Sequence, residues 1–409
     1  MKMPTAIFAA VSAFALAAPL HAKTIQVAAG ADAQTRLQEA LIAAQPGDVV
    51  QLGAGRFALS DGLSLDADGV TLRGAGMDAS VLDFSAQQGA GEGLLVTSDN
   101  VTLRDFAVEN TRGDGIKSKG ADNIVYYRIR ASWTGGPKET NGAYGIYPVA
   151  STGVLIDGCQ VSGASDAGIY VGQSKAITVR YNFVENNVAG IEIENSRDAL
   201  VTGNLVTRNT GGILVFDLPN LPVMGGGNVA IKNNTVVGND TANFAPKGNI
   251  VASVRRGTGI MIMANDGVYV IGNRLDANPT TQVMVIHYPL SFTDPRYNPA
   301  PRNVVIANND IGRGGYDPQI DGAPALLAAF GGSLPPVLWD GLGEAPLASG
   351  ERLNGNAWSL NLPKQGASQT QGKPAPFSLP SLFPTPPKPG AQANPQPGAP
   401  AALDARIQQ

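Results

Sequence analysis

Apolar and polar residues alternate along most of this chain in short, strand-length runs, and the runs recur. From Gly69 onward they read VTLRG (70–74), VTLRD (101–105), IVYYR (124–128), VLIDG (154–158), ITVRY (177–181), LVTGN (200–204), VAIKN (229–233), VYVIG (268–272) and VVIAN (304–308). Period-2 alternation predicts half-buried β-strands. Between them a second phrase returns: Asp166-Ala167-Gly168-Ile169-Tyr170, then Val188-Ala189-Gly190-Ile191-Glu192, then Thr210-Gly211-Gly212-Ile213-Leu214. Earlier members are Gly115-Ile116 and Gly145-Ile146, later ones Gly259-Ile260 and Gln282-Val283. The spacing is about 22 residues, and a period this short predicts a solenoid of parallel strands. The nine runs and an opening coil give about ten coils, a shaft about 48 Å long at about 4.8 Å per coil.

A second register supports the alignment. Asn182, Asn204, Asn234, Asn273 and Asn309 each follow or close one of these runs, and Cys159 holds the same column one coil earlier. Stacked inward, such side chains hydrogen-bond from coil to coil and satisfy a sharp bend. Cys159 then reads as a small filler of the ladder, not a nucleophile or metal ligand.

Residues 32–44 have apolar positions at helical spacing and stop at Pro46-Gly47-Asp48. An amphipathic helix here would cap the open core and strand edge of the first coil. Two insertions break the period. Residues 131–143 carry Trp133, and residues 217–257 leave the repeat twice, the first time through Gly225-Gly226-Gly227. After Gly315 the repeat fades. The expected organisation is a signal peptide at 1–22, a cap helix at 23–48, the β-solenoid at 49–315, a covering segment at 316–360 and a Pro-rich disordered tail at 361–409. That tail holds eleven of the 29 prolines and a net charge of +3, which also suits contact with an anionic wall polymer.

Composition narrows the function. Met1 to Ala22 has Lys2, an apolar run from Ile7 to Leu20, and small residues at its end, the pattern of an export signal. The protein is therefore expected in the periplasm or outside the cell, with no membrane span after the signal is removed. Without residues 1–22, which hold one Lys and one His, 28 basic residues face 33 acidic ones, a formal charge of −5. That leaves no basic footprint for nucleic acid. One cysteine excludes an internal disulfide. Outside the signal the only histidine is His287, whose alternation with Val283 and Val285 aims it inward as a structural residue. His-rich metal sites and Ser-His-Asp triads are excluded on the same count.

Candidate chemistry lies on the residues after each Gly-Ile. With isoleucine inward, the next residue points out. The first outward column reads Lys117, Tyr147, Tyr170, Glu192, Leu214, Met261, Met284, and the second Lys119, Val149, Gly172, Glu194, Phe216, Met263, Ile286. The apolar end of this strip needs a cover, which residues 321–360 or 217–257 would supply. The polar end is the candidate site. Glu192 and Glu194 project from one strand about 6–7 Å apart. Crowded carboxylates either raise a pKa or bind a cation. Tyr170, Glu192, Glu194, Lys117 and Tyr147 are the expected catalytic groups. Lys119, Arg112, Trp133 and Tyr144 are the expected sugar-binding groups. Asp166 with Glu192 and Glu194 offers clustered oxygen ligands for Ca2+.

The helix followed by PGDVVQLGAGRF (46–57) and the asparagine register resemble the pectin-lyase-like superfamily of right-handed parallel β-helices. The runs NGAYGIYPV (141–149), DAGIYVGQS (166–174), AGIEIENS (189–196) and GGILVFDLP (211–219) are similar to exported bacterial parallel β-helix repeat proteins without an assigned activity. The resemblance covers residues 30–315. It implies an all-β, single-stranded right-handed parallel β-helix, and it supplies no catalytic residues. The Asp-Pro-His-Asp of mannuronan epimerases is absent, with only Asp294-Pro295-Arg296 and Asp317-Pro318-Gln319 in partial likeness, and so is the Gly-His-Gly of polygalacturonases.

The expected function is a polysaccharide lyase acting on a uronate polymer by β-elimination. Lys117, Lys119 or Arg112 would neutralise the sugar carboxylate, and Tyr170 or Tyr147 would move a proton. A glycoside hydrolase using Glu192 and Glu194, a uronate epimerase, and a non-catalytic glycan-binding or envelope scaffold are the alternatives. A monomer is expected.

Overall fold

The computed structural model describes residues 22–89, 91–349, 357–376 and 397–408. Residues 1–21, almost all of the expected signal peptide, and residues 377–396 of the expected tail lie outside the described residues.

Three sheets wind around one core. The first holds twelve strands, from Thr24–Val27 and Val49–Leu52 through Gly227–Lys232 to Leu347–Ser349. The second holds ten, from Gly55–Ala58 to Asp310–Ile311. The third runs from Leu63–Leu65 to Ala357–Ser359 and closes on the short antiparallel strand Ala375–Pro376. All other pairings are parallel and join one coil to the next. All nine alternating runs contribute strands to the first sheet. The inward positions, among them Ile177, Val179, Val184, Ile191 and Ile193, form one continuous apolar column.

The glycine of each Gly-Ile phrase is set by close packing of coils. A Cβ at Gly115, Gly145, Gly190, Gly212 or Gly259 would lie 2.3–2.7 Å from a carbonyl oxygen of the neighbouring coil. No side chain fits there, so the phrase repeats as the coils do.

The asparagine ladder is present. The side-chain amide of Asn182 donates to Asn204 Oδ1 at 2.9 Å, Asn204 to Asn234 at 2.9 Å, Asn234 to Asn273 at 3.0 Å and Asn273 to Asn309 at 3.0 Å. Cys159 opens the column: its backbone N–H donates to Asn182 Oδ1, and burial pushes its thiol up to about 12. A second ladder runs through Asn187, Asn209, Asn239 and Asn278 at 3.0–3.1 Å. It lines the turn between the second and third sheets. Each member follows its partner in the first ladder by five residues, a step that spans the three-residue strand between the two bends. At Tyr181, Asn233 and Asn308 the residue before the asparagine has φ near +55°, the left-handed kink that makes the corner.

Helix Ala33–Ala43 buries Leu37 and Leu41 against the first coils and closes that end of the core. At the other end the solenoid continues past Gly315. Strands Val337–Trp339 and Ala357–Ser359 extend the third sheet without any Gly-Ile phrase, because Val337 and Ala357 fill the inward position.

Two parts of the expected Pro-rich tail, 361–376 and 397–408, are described. Residues 361–376 lie against the last coils, where Gln365 Nε2 donates to Tyr288 O and Asn361 Nδ2 to Lys373 O. The short helix Ala402–Ile407 docks on the outside of the first sheet, with Leu403 packed on Val125 and Leu155. Asp404 pairs with Arg180 at 2.7 Å. The guanidinium of Arg406 donates to Thr102 Oγ1 and to the carbonyls of Asn100 and Asn123. These basic and apolar residues are thus used within the molecule. Among the described residues no helix is long and apolar enough to cross a membrane.

Candidate functional site

The site lies on the outer face of the third sheet. Ile116 pairs with Ile146, Ile146 with Ile169, Ile169 with Ile191, Ile191 with Ile213, Ile213 with Ile260 and Ile260 with Val283. The residues that follow them accordingly share a column: Lys117 beside Tyr147, Tyr170 beside Glu192, and Glu192 beside Leu214. In the second column Gly172 stands beside Glu194 and Glu194 beside Phe216.

Both insertion and C-terminal segment cover this face. Leu214, Phe216, Met261, Met263 and Met284 pack under Val251 and Val254, under Tyr288 and Tyr297, and under Leu326, Leu334 and Leu360. The roof reaches further than the sequence suggests. Tyr170, Glu192 and Glu194 are only 5%, 1% and 6% exposed.

Beneath it sits a carboxylate–tyrosine cluster. The Tyr170 hydroxyl donates to Glu194 Oε1 at 2.6 Å. Its ring lies back over Gly172, where a Cβ would come within 2.4 Å of it. Glu192 and Glu194 lie within hydrogen-bonding reach of one another, and both are raised by burial. Burial, reinforced by the charges of Asp166 and Glu194, holds the Glu192 carboxyl well above the usual carboxylate range, and its Oε2 has no hydrogen-bond partner among the described residues. Burial raises Glu194 although its hydrogen bonds with Tyr170 and Glu192 lower it. Asp166 is pushed up to about 7 by burial and by the charge of Glu194. It accepts from Tyr144 OH at 3.5 Å and from Asn249 Nδ2 at 3.2 Å. Nearby Asp217, also raised by burial, accepts from the backbone N–H groups of Gly225 and Gly226.

Tyr144, Tyr147 and Tyr170 form one aromatic cluster, with ring centroids 4.5–4.9 Å apart. Burial raises all three phenols, so they stay protonated at neutral pH. The open side of the cluster is at Lys117 and Tyr147, both half-buried. The Lys117 ammonium lies 4.9 Å from the Tyr147 ring centroid and pairs with Glu92 at 2.8 Å and Asp114 at 3.5 Å. Burial pushes Asp114 up to about 6 despite Lys117.

The remaining candidates stand outside the cluster. Trp133 is buried, its indole N–H donating to Thr111 O at 2.7 Å, so it plugs the wall and offers no sugar platform. Arg112 and Lys119 are exposed, and the Arg112 guanidinium donates to Gln88 O. His287 does not point into the core. It follows the end of strand Thr281–Ile286, and its Nδ1 lies 3.4 Å from Asp340 on the covered outer face. Among the described residues no group of three or more His, Cys, Asp or Glu could hold a metal ion. Of the residues expected to hold Ca2+, Glu194 accepts from Tyr170, and Asp166 accepts from Tyr144 and Asn249. Sequence reasoning missed Glu92, Asp114, Asn249 and Asp217. Asp114 precedes a Gly-Ile phrase as Asp166 precedes Ala-Gly-Ile, a signal that could have found it. Asn249 and Asp217 arrive on insertions without a register.

Three winding parallel sheets with asparagine-lined corners define the molecule as a right-handed parallel β-helix. A family model described as a right handed beta helix region matches residues 68–220. No curated protein sequence matches the chain. Among solved structures it is similar to the A-module of Azotobacter vinelandii mannuronan C-5 epimerase AlgE4, at 14% identity and a TM-score of 0.51, covering 79% of this chain and 91% of that one. The AlgE6 A-module of the same organism gives 17% identity and a TM-score of 0.51, over 78% and 88%. An alginate lyase from Paenibacillus sp. str. FPU-7 gives 16% identity and a TM-score of 0.47, over 82% and 96%. At these identities the likeness is one of fold.

Proposed function

We propose that this is an exported carbohydrate-active β-helix protein that acts on a uronate polymer by general acid–base chemistry, as a lyase. The observation that supports it is the cluster of Asp166, Glu192 and Glu194 with Tyr144 and Tyr170. Burying three carboxylates together is costly, and groups with pKa values displaced toward neutrality are suited to proton transfer. In β-elimination the C–H bond beside the sugar carboxylate breaks, its electron pair forms the new double bond, the glycosidic C–O bond breaks, and the leaving oxygen takes a proton. Asp166, near 7, is fitted to accept the first proton, with Tyr144 beside it. The protonated phenol of Tyr147, at the open side, can supply the last. Lys117 would neutralise the sugar carboxylate; near pH 6 Asp114 takes up a proton and leaves it with one anionic partner instead of two.

The test is absorbance of the unsaturated product from a panel of uronate polymers. Wild type should generate it. Asp166→Asn and Tyr147→Phe should each lower the rate at least about a hundredfold, the usual contribution of a positioned acid or base. Full activity in both variants would sink the assignment. A second reading, a non-catalytic glycan-binding scaffold, is favoured by one observation, the roof over Tyr170, Glu192 and Glu194. It predicts saturable polymer binding with no product.

A further inference from the structure

A second cleft opens at the C-terminal end of the shaft. We infer that it binds an anionic sugar, with Arg313 taking the carboxylate and Trp358 and Tyr316 taking the ring. The cleft has a volume of about 640 Å³ and is lined by Arg313, Tyr316, Phe330, Trp358 and the Gly331-Gly332 turn, among others. Arg313 is the only charged residue in its lining. The guanidinium stacks 4.1 Å from the centroid of Tyr316 and pairs with no carboxylate among the described residues. Asp276, the nearest acid by hydrogen bonding, binds the Arg313 backbone N–H instead.

These parts are held in place. The Tyr316 hydroxyl donates to Ala277 O at 3.3 Å. The Trp358 ring is set edge-on to Phe330 at 4.5 Å, and its strand pairs with Val337–Trp339. Stacking fixes the planar fork of an arginine while leaving its N–H donors free, the arrangement that recognises a carboxylate by two parallel bonds. Flat aromatic faces beside it suit the apolar face of a sugar ring. A guanidinium without a carboxylate partner among the described residues, aromatic walls and a lining that holds no acid select a uronate over a neutral sugar.

This cleft is separate from the carboxylate cluster. Strand Ala357–Ser359 lies five strands along the third sheet from Ala189–Glu194, about 24 Å at about 4.8 Å per coil. The inference shares the substrate class proposed above but needs no catalysis.

The experiment is calorimetric titration of the full chain with a uronic-acid trisaccharide, a neutral glucose trisaccharide and inorganic sulfate, for wild type, Arg313→Ala and Trp358→Phe, with folding of each variant checked by circular dichroism. The uronate should bind at least about tenfold more tightly than the neutral sugar, a difference of about 1.4 kcal/mol. Arg313→Ala should remove that preference, and Trp358→Phe should weaken both sugars. Equal binding of uronate by wild type and Arg313→Ala would overturn the inference. So would sulfate binding as tightly as the uronate, since the cleft would then read charge alone. Arg313-dependent binding with no unsaturated product from any polymer would leave the cleft assigned and the lyase reading refuted.

Discussion

At the scale of single residues, Asp166 makes stability depend on pH in the neutral range. Asp166 ordinarily titrates near 3.8 and is held near 7 in the fold. The folded chain therefore binds this proton more tightly than the unfolded chain does. Its contribution to stability is fully present below about pH 3.8 and is lost as the pH rises through about 7. Asp166→Asn removes the titration while its amide oxygen can still accept from Tyr144 and Asn249. Urea unfolding should show the variant gaining on wild type between about pH 4 and pH 8, by a few kcal/mol at about 1.4 kcal/mol per unit. A difference that does not change with pH would show that Asp166 titrates normally. The cluster's members were legible in the sequence because Tyr170, Glu192 and Glu194 follow the Gly-Ile phrase. Their burial was not, because the covering residues come from segments with no period.

At the scale of the element, the two corners of each coil carry the specificity of the winding. Asn209 donates to Val184 O, Thr207 O and Asn239 Oδ1, and its own Oδ1 accepts from Asn187. Asn209→Ala would leave buried donors and acceptors unpaired, at about 1–3 kcal/mol each. Thermal or urea unfolding should report a loss of about 2–4 kcal/mol, and a loss below about 0.5 kcal/mol would show that the ladder is ornamental. Conversely, Cys159→Asn extends the first ladder by one rung, toward Tyr126 O, against which the thiol now lies at 3.7 Å. It should stabilise by about 1 kcal/mol, the net worth of one buried hydrogen bond. The first ladder could be read from sequence because its asparagines close the alternating runs. The second shows only once the five-residue offset between corners is known.

At the scale of the whole molecule, the solenoid is clasped along its side. Helix Ala402–Ile407 buries Leu403 on the first sheet and sends Arg406 to Thr102, so the end of the chain lies against its first third. Burial lowers the Arg406 guanidinium to about 10, so it remains charged at neutral pH and its contacts with carbonyl oxygens are charge-assisted. Leu403→Ser should cost about 1–3 kcal/mol, in the range for losing a buried aliphatic side chain. Limited proteolysis should then cut before residue 397 faster than in wild type, with the shaft intact. Unchanged proteolysis would show that the helix does not hold the tail. The repeat made the shaft legible from strand spacing alone. The clasp was hidden because a proline-rich, weakly charged stretch looks alike whether its last turn docks or not.

That clasp also bears on the order in which the molecule can be completed. Neighbouring coils pair as soon as both exist, so the shaft can grow from its N-terminal end by local steps. Arg406, however, meets Asn100 across 306 positions, and loop closure over such a span is slow. Between those events Val125 and Leu155 stand uncovered on a nearly finished rod. The last step of folding is therefore a latch, and it acts on coils that were among the first to form.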